Sequence, residues 1–315
     1  MATKTTVKGT LVGEFWHNTG GKADVAVETS LLGLVYITLA LRLWSRSIQR
    51  AQYQLNDWLI FIATILMSAR YAIEVTIVLK CGLGLHISDV IAIGGPGIAV
   101  LLPKLIYIID LLFVTIVTYV KLSILHFYSV IFRQRTFVYF IYGVIALCAG
   151  FWIAALLATA LVCIPPQKLW YPEIPGHCGN NERLNFGVAT TDFILDIVTF
   201  LAPFPILWKL QLSTVKKIGL SLVFGLGFSI VVITAVRFKY FFGVDPNDLT
   251  FTVWPQGIFS AVVPLLGIVN ANLPVIQPAL KRVFGPIKNL TALSKQSRSS
   301  ETLARGHGPP CHNRW

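Results

Sequence analysis

Residues 137–164 read FVYFIYGVIALCAGFWIAALLATALVCI, an apolar run without any Asp, Glu, Lys or Arg side chain. A helix rises ~1.5 Å per residue, so it needs about 20 residues to cross the hydrocarbon core of a bilayer. An uncharged run of this length is typical of a transmembrane helix and not of a core helix in a soluble domain. The stretch therefore predicts one membrane span.

Six further apolar runs lie on either side of it. The seven predicted spans are Val25 to Leu41, Trp58 to Leu79, Leu105 to Val120, Phe137 to Ile164, Phe186 to Trp208, Ile218 to Val236 and Trp254 to Ile276. The 315-residue chain is 55% hydrophobic and 13% charged, with a mean hydropathy of +0.70. This composition predicts an all-α, polytopic membrane protein built as a seven-transmembrane-helix bundle.

The bundle is expected to occupy residues 25–280. An outer segment at 1–24 precedes it, and a basic tail at 281–315, expected to be disordered, follows it in the cytosol. The apolar piece 91–102 is too short and too rich in glycine to span, so we expect it at the membrane interface or in an outer loop.

Lys and Arg residues are unevenly distributed over the predicted loops. Fifteen fall on the side of the C-terminal tail and nine on the other. Because positive residues accumulate in cytosolic loops, the N-terminus is predicted outside and the C-terminus in the cytosol, in the plasma membrane or the endoplasmic reticulum. The lipid bilayer is then the expected partner. The basic residues are dispersed over short loops, which argues against a nucleic-acid partner.

Cysteines divide between compartments under this orientation. Cys81, Cys163 and Cys178 face outward, and Cys148 lies inside the fourth span. Cys163 and Cys178 bracket one outer loop, where an oxidising compartment permits a bridge, so we favour this disulfide. The three outward cysteines also allow two other pairings, or three free thiols.

Short motifs along the membrane region resemble a known family. They are Leu41 to Arg46, Asn56 to Ile60, Gly82 to His86 with Asp89, Lys121 to Leu125 with Tyr128, Cys163 to Pro165 with Trp170 and Cys178, Thr191 with Asp192, Pro203 to Pro205, Trp208 to Leu210, Lys216 to Leu220, Arg237, and Leu273 with Pro274. In this order they resemble the fungal rhodopsin-domain family of integral membrane proteins. The resemblance implies a receptor-like seven-helix protein encoded beside genes of secondary metabolism, of the mycotoxin or terpenoid type. Two positions depart from the family, because Asn56 stands where an aspartate is usual and Val263 where helix 7 often carries a glutamate.

We expect neither a cofactor nor a metal. Retinal needs a buried lysine in the last helix, and residues 254–276 contain none. His86 and Asp89 are too few ligands for a metal site. The third span ends in His126-Phe127-Tyr128, without the acidic-Arg-aromatic triplet of G-protein-coupled receptors, so no cytosolic signalling partner is identified.

Ionisable residues inside the predicted spans are the candidate site. Each costs free energy in hydrocarbon, so it is expected to face a cavity or a partner. The helical rise puts five acids and one base in the outer half or near the middle of the bundle, namely Glu28, Arg70, Glu74, Asp110, Asp192 and Asp196. They are predicted to bind a small lipophilic ligand or metabolite in an outward-opening polar cavity.

Structural alternatives exist for several of these residues. Arg70 and Glu74, four residues apart, could pair with each other on one helix. Asp192 could cap a loop or bond to a hydroxyl of the fourth span. Asp192 and Asp196 share a face, and two like charges favour a retained proton on one of them, which would make it a proton donor. Lys121 is predicted to extend its amine toward the inner membrane surface.

Three functional classes are therefore open. The first is the receptor-like or accessory binding protein. The second is a membrane-bound isoprenoid cyclase or isomerase, in which Asp192 or Asp196 is the catalytic acid and Trp152 or Trp170 stabilises the cation. The third, a transporter built from matched halves, is disfavoured because the sequence has no internal repeat.

Small residues recur every four positions on the fourth span, at Ala146, Gly150, Ala154 and Ala158. Such strips allow two helices to approach closely. The sequence predicts tight helix packing along this face.

Overall fold

The computed structural model describes residues 18–95, 97–132, 134–207, 214–241 and 249–276. It has seven helices long and apolar enough to cross a membrane. They are α1 (Thr19–Gln49), α2 (Leu55–Cys81), α3 (Ile98–Ile131), α4 (Arg135–Ala160), α5 (Asn181–Leu201), α6 (Thr214–Phe241) and α7 (Trp254–Ile276). The prediction of a multi-pass, mostly helical protein with seven spans is confirmed. The predicted tail at 281–315 and residues 1–17 lie outside the described residues, so the domain boundaries stay predictions.

Two helices are longer than their apolar runs. α1 begins at Thr19 instead of Val25, because the Asn18 side chain caps it by accepting a hydrogen bond from the Gly21 N–H at 2.8 Å. Asn18 also donates to the carbonyl oxygen of Leu83 at 2.6 Å, which joins the start of α1 to the end of α2. α3 continues to Ile131, well past the predicted end at Val120.

The apolar piece at 91–102 does not form a span of its own. Ile87–Gly94 is a separate helix of 8 residues, and it ends at Gly95, which has a φ of 72° that favours glycine. From Ile98 onward the chain is already part of α3. The prediction that this piece does not cross the membrane alone is confirmed.

α7 lies in the middle of the bundle. Fully buried side chains of four helices meet there, including Val35 of α1, Met67 of α2, Ile116 of α3 and Leu265 of α7. α4, α5 and α6 instead present large apolar side chains outward, such as Leu147, Ile194 and Phe228. In a bilayer these outward side chains contact lipid, as expected for helices at the edge of a bundle.

A small hairpin joins α4 to α5. Strand β1 (Cys163–Ile164) pairs antiparallel with β2 (His177–Cys178), and a disulfide links Cys163 to Cys178. The predicted disulfide is therefore present, while Cys81 and Cys148 are buried free thiols. This hairpin marks what we call the disulfide end of the bundle. The other end, where α1 stops and α2 begins, is the opposite end.

The small-residue strip of α4 does not bring two helices together. A Cβ atom built at Gly150 would meet no heavy atom within 4 Å. Ala146, Gly150, Ala154 and Ala158 instead line an open groove of about 720 Å³ between α4 and α5. The prediction of tight packing along this face is wrong.

Candidate functional site

Arg70 is fully buried in α2 and binds carboxylates from two helices. Its Nη1 donates to Glu28 Oε1 of α1 at 2.9 Å, and its Nη2 lies 3.5 Å from Glu74 Oε2 on α2. Because the shorter contact crosses to α1, Arg70 and Glu74 are not a self-contained pair on one helix. The ion pair fastens α1 to α2, since removing either partner would leave a buried charge uncompensated.

Asp24 stands one turn before Glu28 on α1 and is also fully buried. Neither carboxylate oxygen of Asp24 has a hydrogen-bond partner among the described residues, and Glu28 Oε2 lacks one as well. Buried polar atoms are normally paired, so each exception calls for a ligand, a water molecule or a proton. The sequence prediction missed Asp24 by placing residues 1–24 outside the helix. Its four-residue spacing from Glu28 was the available signal.

A cavity of about 80 Å³ lies beside this cluster, between α2, α3, α6 and α7. We call it the polar cavity, and its polar lining comprises Arg70, Glu74, Asp110, Arg237, Gln256 and Ser260. Sites that enclose a drug-sized molecule are larger, about 300–1,000 Å³. The polar cavity can therefore accept the polar end of a small molecule, but not a whole lipophilic molecule.

Asp110 of α3 and Arg237 of α6 face this cavity without pairing. The guanidinium of Arg237 lies 4.5 Å from the centre of the Phe113 ring, and its Nε has no partner. In the part of the chain that the structure describes, Asp110 makes no hydrogen bond or ion pair. Arg237 was predicted in an outer loop, but α6 continues past it to Phe241. A free acid and a free base on one cavity suit a ligand group that both donates and accepts hydrogen bonds.

Asp192 and Asp196 of α5 belong to a separate cluster around Lys121 of α3. The Lys121 Nζ lies 2.5 Å from Asp192 Oδ1 and 3.1 Å from Asp196 Oδ1, and it also donates to the Asp192 carbonyl oxygen at 3.0 Å. The prediction that Lys121 reaches the membrane surface is wrong, because α3 is long enough to keep this residue inside the bundle. The two acids are held as partners of a cation and do not line the polar cavity.

This second cluster borders only a small space. The adjoining cavity is about 60 Å³, and its lining is mostly apolar apart from Lys121, Asp196, Thr199 and Asn270. A general acid must hold a proton that it can give to a substrate. The ammonium group of Lys121 contacts both carboxylates, so each already has a partner within the protein. The geometry here is that of a structural ion triad.

A third charged cluster ties α1, α2 and α7 together at the opposite end. Arg42 donates from Nε to Asp57 Oδ1 at 2.8 Å and from Nη1 to the Ala271 carbonyl oxygen at 2.8 Å. Arg46 Nη2 lies 3.0 Å from Asp57 Oδ2. Nearby, the amide of Asn272 donates to Thr38 Oγ1 at 3.1 Å. The polar side chains of this cluster therefore bond to a carboxylate, a carbonyl and a hydroxyl group of the protein itself.

Asn56, one residue before this acid, is fully buried. Neither atom of its side-chain amide has a hydrogen-bond partner among the described residues. The backbone carbonyl oxygen of Asn56 accepts a hydrogen bond from Ser123 Oγ at 2.9 Å, so α3 is also joined to α2 at this end of the bundle. Since two arginines here face one carboxylate, an aspartate at this position would balance the local charge.

Metal ligands do not cluster in the described part of the chain, where no three His, Cys, Asp or Glu side chains are placed to hold an ion. His86 stacks on the ring of Phe251 with centroids 4.2 Å apart. This residue therefore takes part in loop packing at the disulfide end.

Sequence comparison identifies the family. The profile described as "Fungal rhodopsin domain" matches residues 41–282, most of the chain. The chain belongs to the fungal rhodopsin domain family. The match begins at Leu41, in the last third of α1, and includes the other six spans completely. The resemblance inferred from the motifs is therefore confirmed.

Several curated relatives of this family member are named for fungal biosynthesis clusters. A "Fugralins biosynthesis cluster protein 2" of Gibberella zeae is 31% identical over 44% of this chain and 34% of its own length. A polyenoic acids biosynthesis gene cluster protein of Metarhizium anisopliae is 25% identical over 85% of this chain and 76% of its own length. A "SAT4 family membrane protein" of Emericella nidulans is 26% identical over 61% of this chain and 49% of its own length. No solved structure matches the chain. The protein is thus a multi-pass fungal membrane protein with relatives in secondary-metabolite clusters.

Proposed function

We propose that this fungal rhodopsin-domain protein is a receptor-like or accessory protein of secondary metabolism, which binds the polar end of a small, otherwise apolar molecule in the polar cavity. The observation that carries the proposal is the pair of Asp110 and Arg237, which face one cavity of about 80 Å³ without bonding to each other. Both side chains are half-buried inside an apolar bundle, where an unused ionisable group is costly and marks a functional position.

The ligand chemistry follows from this lining. Arg237 offers N–H donors and Asp110 offers acceptors, while Gln256 and Ser260 of α7 add neutral hydrogen-bonding groups. A carboxylic acid, an amide or a hydroxyl group satisfies both sides. One relative is named for a polyenoic acids cluster, and such acids combine a carboxyl group with an apolar chain. That relationship supports an amphiphilic ligand for this chain.

The polar cavity is inferred to open toward the cell exterior or the lumen of the endoplasmic reticulum. It lies near Leu83 and Val253, at the same end as the Cys163–Cys178 disulfide. Disulfides persist in oxidising compartments, which supports placing this end outside the cytosol. The excess of Lys and Arg on the other side supports the same orientation.

The proposal is tested by ligand-induced stabilisation of the full-length protein in nanodiscs. The probes are medium- and long-chain aliphatic acids, amides and alcohols, each compared with the alkane of equal length. A binder at a hundred times its Kd raises the free energy of unfolding by about 2.7 kcal/mol, which is readily seen in thermal unfolding. At least one polar-headed class is expected to stabilise the protein, and the alkane is expected to have no effect.

Gly257→Leu is the variant that closes the cavity. A Cβ atom at Gly257 would lie 3.5 Å from Glu74 Oε1, so the rest of a leucine side chain must enter the cavity. Gly143→Leu is the matched control, because a Cβ there meets nothing within 4 Å. Stabilisation should disappear in Gly257→Leu and persist in Gly143→Leu. Failure of every probe, or equal stabilisation of both variants, would contradict the proposal.

The isoprenoid cyclase or isomerase is the weaker alternative, because Lys121 occupies both candidate acids. It makes a different prediction for Asp192→Asn. Loss of product conversion in membranes, with an unchanged amount of protein, would favour the enzyme. Ligand binding without any turnover in the wild-type protein favours the binding protein.

A further inference from the structure

The open groove between α4 and α5 is a second unfilled space, and it is independent of the polar cavity. Its volume is about 720 Å³, and its walls are mostly apolar. Glycines keep both walls thin, since a Cβ atom at Gly150 of α4 or Gly187 of α5 would meet no heavy atom within 4 Å. The side chains of the described residues therefore leave this groove empty along the lipid-facing side of the bundle.

One end of the groove is positively charged. Arg183 lines it at the disulfide end, in the first turn of α5, where Asn180 Oδ1 caps the helix by accepting from the Arg183 N–H. The Arg183 guanidinium has no hydrogen bond or ion pair among the described residues. The first turn of a helix adds partial positive charge at the same place. Glu182 is exposed beside it but does not line the groove.

Deeper in the groove no polar group is free. The hydroxyl of Thr191 donates to the Gly187 carbonyl oxygen at 2.9 Å, and the remaining lining is apolar or glycine. The groove thus has a charged end at the depth of the membrane surface and an apolar body toward the bilayer centre. A membrane lipid has the same arrangement, with a polar headgroup at the membrane surface and an apolar part toward the bilayer centre.

Length and charge favour a lipid over a helix of another copy as the occupant of the groove. Arg183 and Ile194 are eleven residues apart on α5, which corresponds to about 16 Å along the helix. The hydrocarbon core of a bilayer is ~30 Å thick, so this length matches one leaflet. The unpartnered guanidinium at one end matches a lipid phosphate, whereas the apolar face of a second helix offers Arg183 no anion.

We propose that the α4–α5 groove binds one two-chain phospholipid, with its phosphate at Arg183 and its acyl chains along Ala154, Gly150 and Ala146. Arginine and the first turn of a helix are both established partners of phosphate groups. The small residues of α4 then serve to admit acyl chains, and not to pack two helices. The proposal holds whether or not the polar cavity binds a ligand.

Photo-crosslinking of the full-length protein in phosphatidylcholine nanodiscs tests the site. The probe is a phosphatidylcholine with a diazirine in one acyl chain, and the comparison probes are a diacylglycerol and a free fatty acid with the same diazirine chain. Labelled peptides are mapped by mass spectrometry. The phospholipid is expected to label α4 and α5 facing the groove about tenfold more than the diacylglycerol, because a charge-assisted hydrogen bond to phosphate is lost.

Five variants separate the groove from general lipid contact. Gly150→Phe and Gly187→Phe fill it from opposite walls and should abolish groove labelling, whereas Ile153→Phe, at an exposed position of α4 outside the groove lining, should retain it. Arg183→Gln should equalise phospholipid and diacylglycerol, and Arg135→Gln, at the far end of α4, should not. Each variant is checked for a wild-type elution profile.

Three results would overturn the proposal. They are equal labelling by phospholipid and diacylglycerol in the wild-type protein, preferential labelling by the free fatty acid, and crosslinks between α4 helices of two copies across the groove. Labelling that survives both phenylalanine substitutions would have the same effect.

Discussion

The two ends of the bundle use the same kinds of side chain for different purposes. At the opposite end, Arg42 divides its donors between the Asp57 carboxylate and the Ala271 carbonyl, so its charge joins three helices. At the disulfide end, Arg237 has only the Phe113 ring against its guanidinium, and Asp110 has no partner among the described residues. The number of ionisable residues is therefore a poor guide to function in this protein. What separates scaffold from site is whether the charged atoms bond to the protein or face a void.

The largest effect on stability is expected when Arg42 is removed from the opposite end of the bundle. Arg42→Ala leaves Asp57 buried with one cation fewer and frees the Ala271 carbonyl, so we expect a loss of about 3–5 kcal/mol in the free energy of unfolding. Denaturant or thermal unfolding in nanodiscs measures it. Arg135→Ala, which removes an exposed arginine from the same membrane surface, is expected to change stability by less than about 0.5 kcal/mol. Equal effects of the two substitutions would show that the cluster is not structural.

Lys121→Met tests whether the cluster of Lys121, Asp192 and Asp196 belongs to the structural scaffold or to the ligand site. The substitution leaves Asp192 and Asp196 facing each other without a cation, and we expect it to destabilise the protein by about 3 kcal/mol. Adding Asp192→Asn and Asp196→Asn removes the uncompensated charge and should restore most of the loss. The triple variant should still be stabilised by the polar-headed probes. If it is stable but no longer binds them, these acids belong to the site.

Asp110→Asn sharpens the comparison at the disulfide end. Because Asp110 has no partner among the residues that the structure describes, its neutralisation should change the free energy of unfolding by less than about 1 kcal/mol. The affinity for the stabilising probe should fall at least tenfold, since a hydrogen bond to a charged group contributes about 1.5–3 kcal/mol. Titration of the probe against both proteins in nanodiscs gives the ratio. A large loss of stability with unchanged affinity would move Asp110 to the scaffold.

Phe113→Leu is expected to have the smallest effect of these substitutions, and the effect is on the affinity for the probe. The ring supports the Arg237 guanidinium through a cation–π contact worth roughly 0.5–2 kcal/mol. Its removal should lower the affinity for the probe about threefold while the bundle stays folded. Phe113→Tyr keeps an aromatic face and should preserve the affinity. Equal affinities of the leucine and tyrosine variants would exclude this contact from the site.

The fold could be predicted because apolar length alone identifies a membrane span, as residues 137–164 illustrate. The disulfide could be predicted because Cys163 and Cys178 bracket one loop between two predicted spans. The ends of the helices were harder to predict, because capping residues such as Asn18 determine where a helix begins and hydropathy does not. Asp24 and Arg237 were therefore assigned to loops although both lie inside helices.

Side-chain contacts between different helices were the other feature that could not be predicted from the sequence. The spacing within α2 reveals that Arg70 and Glu74 are neighbours, but it does not reveal that Glu28 of α1 takes the shorter contact. Lys121 and Asp192 are 71 residues apart and meet only because α3 packs against α5. Of the six predicted ligand-binding residues, Arg70, Glu74 and Asp110 line the polar cavity, Asp192 and Asp196 belong to the ion triad, and Glu28 pairs with Arg70. This division depends on tertiary packing.

The central claim is that the unpartnered charges of the polar cavity form a ligand site. Native mass spectrometry of the full-length protein, purified in mild detergent from its own fungus, tests it most directly. The wild-type protein and Gly143→Leu should carry a discrete additional mass beyond bound phospholipid, and Gly257→Leu should lack it. A wild-type protein without such a mass, or the same mass on Gly257→Leu, would contradict the account.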